Sequence, residues 1–276
     1  MKLLVTTDFS TNSKGAIRFS QSLAEMFDQV EVVFYHAVHF LKPTSWSDTF
    51  HVNYKEEETA RLSSELKKFI TSTLKKHESK FSSVSYVVDN VISTEKDIIN
   101  YAEKNKVDYI CIATRGAGIM RKVMGTHTAY IVNNSPIPVL VIPNNYRTSK
   151  IEKATYLSDF ENLNAEIDKI SDFRGAYNLN LEILHFKSLL QNNKESEAYK
   201  SLISQKEYQN IKLKIVKSDF DLTFTERVAK YIKNAKTNLL ITFTNRERNF
   251  FESIFLPSTS AELTYSTKIP ILIFPK

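Results

Sequence analysis

Apolar runs and helix-period stretches alternate along this chain, and they do so twice. In the first half, Leu3-Leu-Val5, Val30–Val38, Ser83–Val88, Val107–Ala113 and Val139–Ile142 read as strands. Between them lie helical patterns. Ser10 can cap a helix reaching about Phe27, with Ile17, Ser20, Leu23, Ala24 and Phe27 on one face. A second helix is expected from about His51 to His77, burying Leu62, Leu66, Phe69, Ile70 and Leu74. Ser93 or Thr94 caps a third, with Ile98, Ile99 and Ala102 inward, and Thr126–Val132 reads as a short fourth. Strand–helix alternation of this kind predicts a parallel sheet with helices on both faces. Such sheets bind ligands at the C-terminal ends of their strands, beside the point where strand order reverses.

The second half repeats the first. Lys2-Leu-Leu-Val-Thr-Thr-Asp-Phe9 returns as Lys153-Ala-Thr-Tyr-Leu-Ser-Asp-Phe160. Val30–Val38 returns as Leu179–Phe186, and Val107–Thr114 returns as Thr237–Thr244. Ser135-Pro-Ile-Pro-Val-Leu-Val-Ile-Pro143 matches Thr267-Lys-Ile-Pro-Ile-Leu-Ile-Phe-Pro275. Two domains are therefore expected, 1–145 and 151–276, separated in the polar stretch Asn144–Lys150.

Composition narrows the function. The chain has 276 residues, 42% hydrophobic and 25% charged, within the range of globular domains. Its net charge of +6 comes with Lys67-Lys68 and Lys75-Lys76 set among Glu56-Glu57-Glu58 and Glu65, a solvated mixed face rather than a nucleic-acid footprint. The single cysteine, Cys111, lies in an apolar run and reads as a core residue in a reducing compartment. Met1–Thr6 runs directly into a strand without a signal-peptide pattern, and no stretch could span a bilayer. The expectation is a cytoplasmic protein with neither nucleic acid nor membrane as partner.

Glycine marks the candidate site. Three of the chain's five glycines, Gly116, Gly118 and Gly125, fall between the strand ending at Ala113 and the helix starting at Thr126. Glycine is kept where backbone turns with positive φ or comes close to a ligand. A strand–loop–helix junction of this kind suits phosphate, because free N–H groups and the helix dipole favour an anion. A tight turn without ligand would use the same residues, and Asp8 is useful as a helix N-terminal carboxylate in either case. His36 and His185 hold equivalent repeat positions, which argues for a structural role. His36, His39 and His51 lack a carboxylate or cysteine partner for a metal, so none is expected. His127 follows the phosphate turn, but the sequence sets no carboxylate beside it and offers no nucleophile–base set. No catalytic residue is assigned.

Three segments together carry a family resemblance: Val5-Thr-Thr-Asp-Phe-Ser10, the glycine loop with Gly125-Thr126, and Asn134-Ser-Pro-Ile-Pro-Val-Leu-Val-Ile-Pro143. In this order they resemble the universal stress protein family in its tandem form, over nearly the whole chain. The resemblance implies two Rossmann-like, adenine nucleotide alpha hydrolase-like α/β domains. Each would be a five-stranded parallel sheet flanked by helices, the two paired about a pseudo-two-fold axis within the chain. It implies a stress-response regulatory role, with ATP bound by some members. ATP-binding members carry G-x2-G-x9-G-[S/T] after strand four. Here Ala113 stands at the first glycine, Gly116 at the second, and Gly125-Thr126 at the last pair, with a loop one residue short. Gly118 can relieve the shortened turn.

By resemblance, Thr7 and Asp8 would face the nucleoside, and Ala37 or Val38 would flank the base. The amides of Gly125, Thr126 and His127, with the hydroxyls of Thr126 and Thr128, would hold phosphate, and Arg115 would add charge. ATP or another adenine nucleotide is the expected ligand, with Mg²⁺ for a triphosphate. In the second half Asp159 remains. Arg246 replaces Gly116, Pro257-Ser258 replaces Gly125-Thr126, and no glycine follows Gly175. Side chains throughout, and a proline without its N–H, disfavour a phosphate cradle there. Phe250, Phe251 and Phe255 are expected to pack against the partner domain or another subunit. Three readings follow: a regulatory nucleotide binder using its first half only, a nucleotide-free protein-interaction module, and a slow ATP hydrolase. A regulatory protein partner and assembly of the tandem chain into homo-oligomers stay open.

Overall fold

The computed structural model describes residues 1–74, 80–114, 126–174, 179–187, 194–205, 208, 211–217, 221–244 and 269–275. They form two compact units, Met1–Ser149 and Lys150–Phe274. In the first, β1 (Lys2–Thr6), β2 (Glu31–Val38), β3 (Ser83–Asn90), β4 (Tyr109–Ala113) and β5 (Val139–Ile142) alternate with α1 (Lys14–Ala24), α2 (Asp48–Leu74), α3 (Thr94–Lys104) and α4 (Thr126–Asn134). The strands lie in the order β3-β2-β1-β4-β5, and each neighbouring pair is parallel. β1, β4 and β5 are almost wholly buried, which is why they read as unbroken apolar runs.

The second unit holds β6 (Lys153–Leu157), β7 (Asn180–Lys187), β8 (Lys212–Lys217), β9 (Leu239–Phe243) and β10 (Ile271–Phe274), with α5 (Leu163–Arg174), α6 (Lys194–Ile203) and α7 (Phe224–Ala235). Its order, β8-β7-β6-β9-β10, repeats that of the first unit, again with parallel neighbours. The repeat extends to backbone conformation. Phe9 (φ 59°) and Phe160 (φ 68°) are both left-handed, as are Lys106 (φ 51°) and Lys236 (φ 53°) just before β4 and β9. Non-glycine residues adopt this region at a cost, so each pair marks a turn held by its surroundings. α7 opens with a capping box, in which the Thr223 hydroxyl accepts from Glu226 N and Glu226 reaches back to Thr223 N.

One helix start differs from the sequence reading, and another, with Ser93 at its N-cap as expected, differs in how it is capped. α1 begins at Lys14, with Ser13 as its N-cap, rather than being capped by Ser10. The residues between turn on themselves: Ser10 N donates to Asp8 Oδ1 at 3.0 Å, and Ser13 Oγ donates to Ser10 O at 2.9 Å. At α3, the N-cap Ser93 makes no side-chain cap bond. Asp97 instead accepts from the amides of Ile92 (2.9 Å) and Ser93 (3.0 Å). α2 buries Leu62, Leu66, Ile70 and Leu74, while Phe69 is half-buried. Cys111 is fully buried, and burial pushes its thiol well above the usual range, leaving an inert core side chain.

Candidate functional site

The reversal of strand order in unit 1 falls between β1 and β4. The two chain segments leaving these strands carry most of the residues singled out from the sequence. Thr7 continues β1 by donating its amide to Tyr35 O at 2.9 Å, and its hydroxyl lies 2.7 Å from Ser13 Oγ. Thr7 is buried, whereas Asp8 is exposed at the C-terminal edge of the sheet, where its carboxylate closes the Asx turn onto Ser10. His36 Nδ1 lies 2.9 Å from Thr7 O; facing a carbonyl, that nitrogen must carry the proton. The Phe9 ring sits 4.3 Å from the His36 ring and 5.7 Å from Phe69, covering the turn from the α2 side.

The same device recurs in unit 2. Ser158 N donates to Leu184 O at 3.0 Å, Glu161 N donates to Asp159 Oδ1 at 2.9 Å, and His185 Nδ1 lies 2.9 Å from Ser158 O. Phe160 covers His185 with ring centroids 5.0 Å apart. Both histidines are thus braces of the Asp-Phe turn. Their repetition carried that signal in the sequence; the left-handed phenylalanine gave none.

Ala37 and Val38 end β2, half-buried, opposite Asp89 and Asn90 of β3. Asp89 accepts the Tyr35 hydroxyl at 2.7 Å. Burial first, then this bond, push the Tyr35 phenol above its ordinary range, so it remains a donor. Ala113 ends β4, buried, and its carbonyl accepts the Thr128 hydroxyl at 3.0 Å. Thr128 is 3% exposed, so its hydroxyl proton is spent on tying α4 to the end of β4. A Thr128→Val chain leaves a buried carbonyl without that donor. It should lose about 1–2 kcal/mol of unfolding free energy, read by chemical denaturation.

Arg115, Gly116, Gly118 and Gly125 lie outside the described residues, as do Arg246, Phe250, Phe251, Phe255, Pro257 and Ser258 of the second half. Thr126 opens α4. His127, next to it, stands 61% exposed with Nδ1 2.6 Å from Glu95 Oε1. This carboxylate was invisible to sequence reasoning because it comes from the first turn of α3, 32 positions away. Burial raises the Glu95 carboxyl, but its backbone bond and His127 outweigh that and hold it below its ordinary range. His39 Nε2 approaches Thr94 Oγ1 at 3.0 Å in the same helical turn. Among the described residues, no three His, Cys, Asp or Glu side chains cluster as a metal site. None of the described helices is long and apolar enough to cross a membrane.

At the corresponding end of unit 2, a cavity of about 230 Å³ is walled by Tyr156, Phe186, Phe224 and Phe243, with Asp159 and Glu166 among its polar lining. The buried Tyr156 hydroxyl donates to Glu166, and burial pushes that phenol far above its usual range. Arg227 lies over Phe186 (5.5 Å) and Phe224 (5.7 Å), its guanidinium engaged with rings. Among the described residues, the cavity lining contains two carboxylates and no lysine or arginine, a poor match for phosphate.

The sequence profile of the universal stress protein family matches residues 1–143, which contain this β1–β4 crevice and α4. The chain belongs to the universal stress protein family. A universal stress protein from Archaeoglobus fulgidus aligns over 99% of this chain and 98% of its own, with a TM-score of 0.68 at 14% identity. The functionally unknown protein PA1789 from Pseudomonas aeruginosa gives a TM-score of 0.56 at 12% identity, covering 99% of this chain and 92% of that one. At these identities the likeness is one of fold, a Rossmann-like α/β architecture spanning both units. Among curated proteins, none matches.

Proposed function

We propose that unit 1 binds one adenine nucleotide, ATP foremost, and that the protein acts as a cytoplasmic, nucleotide-dependent regulator in stress rather than as an enzyme. The observation that carries the reading is a coincidence of position. The chain's glycine run begins after β4 at the reversal of strand order and ends where α4 starts. Asp8, exposed at the end of β1, would contact the nucleoside, with Thr7 beneath it and Ala37 and Val38 beside the base. The amides of Gly116, Gly118, Gly125, Thr126 and His127 would hold phosphates, with Arg115 adding charge and Mg²⁺ accompanying a triphosphate. Thr128 and Ala113 would serve as the strut that sets the position of α4. Titration calorimetry of the full chain with ATP and Mg²⁺ tests this: binding near one nucleotide per chain supports it, and no heat of binding sinks it.

Turnover is expected to be negligible. Phosphoryl transfer needs an oriented water or acceptor and charge stabilisation at the γ-phosphate. The Glu95–His127 pair is the one described base with an orienting carboxylate near α4, and 61% exposure of the imidazole leaves it in bulk water. A phosphate-release assay with Mg²⁺ or Mn²⁺ should stay at background. Multiple turnover that disappears in His127→Ala would overturn the non-enzyme reading.

A second reading, a protein-interaction module without nucleotide, draws on exposed apolar side chains. Leu41 is 83% exposed and Ile92 96% exposed, following β2 and β3 respectively. Both readings leave room for a regulatory protein partner.

A further inference from the structure

We propose that unit 1 carries a second anion site, an oligophosphate-binding groove between α1, the C-terminal end of α2 and the segment 144–149. The groove has a volume of about 600 Å³. Arg18 and Gln21 line it from α1, Thr73 and Leu74 from α2, and Asn145, Arg147 and Thr148 from the segment that follows β5. No carboxylate is among these residues. Among the described residues, neither Arg18 nor Arg147 forms an ion pair with an acid. Among the described residues, Glu25 accepts the Gln21 amide at 3.1 Å, and it does not itself line the groove.

The wall carrying Arg147 is fixed in place. Tyr146 is 6% exposed, stacks edge-on against Phe19 at 5.3 Å, and shares a 3.0 Å bond with Ser22 Oγ. Asn144 Nδ2 donates to Asn12 Oδ1 at 3.1 Å, and Ser149 N donates to Ser22 Oγ at 3.4 Å. Arg18 Nη1 reaches the Tyr146 carbonyl at 3.4 Å, so one guanidinium is tethered to the wall that bears the other. Two arginines are thus presented from two walls before any ligand arrives, a preorganised arrangement for a multiply charged oxyanion.

The lining selects phosphoryl chemistry over a protein partner. Both guanidiniums, the Gln21 and Asn145 amides and the Thr148 hydroxyl can donate, whereas the Thr73 hydroxyl is given to Phe69 O at 2.8 Å, and an oligophosphate offers acceptors only. A protein interface needs an apolar or aromatic anchor, and among the described lining residues Leu74 alone is apolar. The site lies on helices and the post-β5 segment, apart from the strand-end crevice, so it stands whether or not that crevice binds nucleotide.

The test is calorimetric titration of the full chain with sodium tripolyphosphate at low ionic strength. Wild type, R18Q/R147Q, R18K/R147K and Gly125→Asp are compared, each checked for folding by circular dichroism. We expect R18Q/R147Q to lose at least tenfold in affinity for a site that Gly125→Asp retains, with R18K/R147K between. The groove is assigned to the free oligophosphate chain, so ATP added to Gly125→Asp should show no binding of comparable affinity. Equal affinity in wild type and R18Q/R147Q, or loss of all binding in Gly125→Asp, overturns the proposal. So does an oligoglutamate peptide that binds the groove as tightly as tripolyphosphate.

Discussion

Gly125→Asp should reduce ATP affinity by at least about 100-fold, roughly 2.7 kcal/mol, while leaving the fold intact. Gly125 directly precedes Thr126, the first residue of α4. An aspartate there would put a side chain and a negative charge where the proposed phosphates approach the helix N-terminus. Unit charges at contact distance repel by about 1–4 kcal/mol at the dielectrics of a protein surface, and a triphosphate presents several. The same substitution suits the helix, because an acidic residue is favourable at an N-terminus. Lost binding with unchanged or slightly higher thermal stability is therefore the expected pair of results. Calorimetric titration and a thermal melt of the same preparation read both, and undiminished affinity would remove this loop from the proposed site.

Gly15→Ala should destabilise unit 1 by about 2–3 kcal/mol, against the usual direction of such a change in a helix. Alanine normally gains on glycine inside a helix. Here a Cβ at Gly15 would stand 2.3 Å from the Pro143 carbonyl oxygen and 3.3 Å from Asn144 Cα. Both obstacles are backbone, and the turn they belong to is held by Asn144 on Asn12 and by Tyr146 against Phe19. Neither can yield without moving α1 or the segment after β5. Urea denaturation of wild type and Gly15→Ala checks the sign: a more stable alanine variant would mean that this contact relaxes freely.

Much of the architecture was legible because it rests on periodicity. β1, β4 and β5 are buried on both faces and so appear as unbroken apolar runs, and the stripe Leu62, Leu66, Ile70, Leu74 gave α2. The duplication was equally plain in Thr7-Asp8-Phe9 and Ser158-Asp159-Phe160. What escaped were contacts with no local pattern. Ser10 looked like a cap because serine before an apolar stripe usually is one, yet its Oγ accepts from Ser13 N at 3.3 Å and the helix waits for Lys14. Glu95 meets His127 only because α3 and α4 pack together. Gly15 carried no signal in the sequence, since the carbonyl it makes room for is 128 positions away. Thr7, Asp8, Ala37, Val38 and Ala113 stand at or just past strand ends, where the apolar runs put them, while their proposed roles came from the family resemblance. The inward bond of Thr128 depends on which way one hydroxyl turns, and the sequence carries no sign of that.

The central claim, one nucleotide per chain in the first unit, is tested most directly by native mass spectrometry of the full chain titrated with ATP. The account predicts a single adduct of one nucleotide per chain in the wild type and none in Gly125→Asp. No adduct in the wild type, or two nucleotides on each chain, would contradict it.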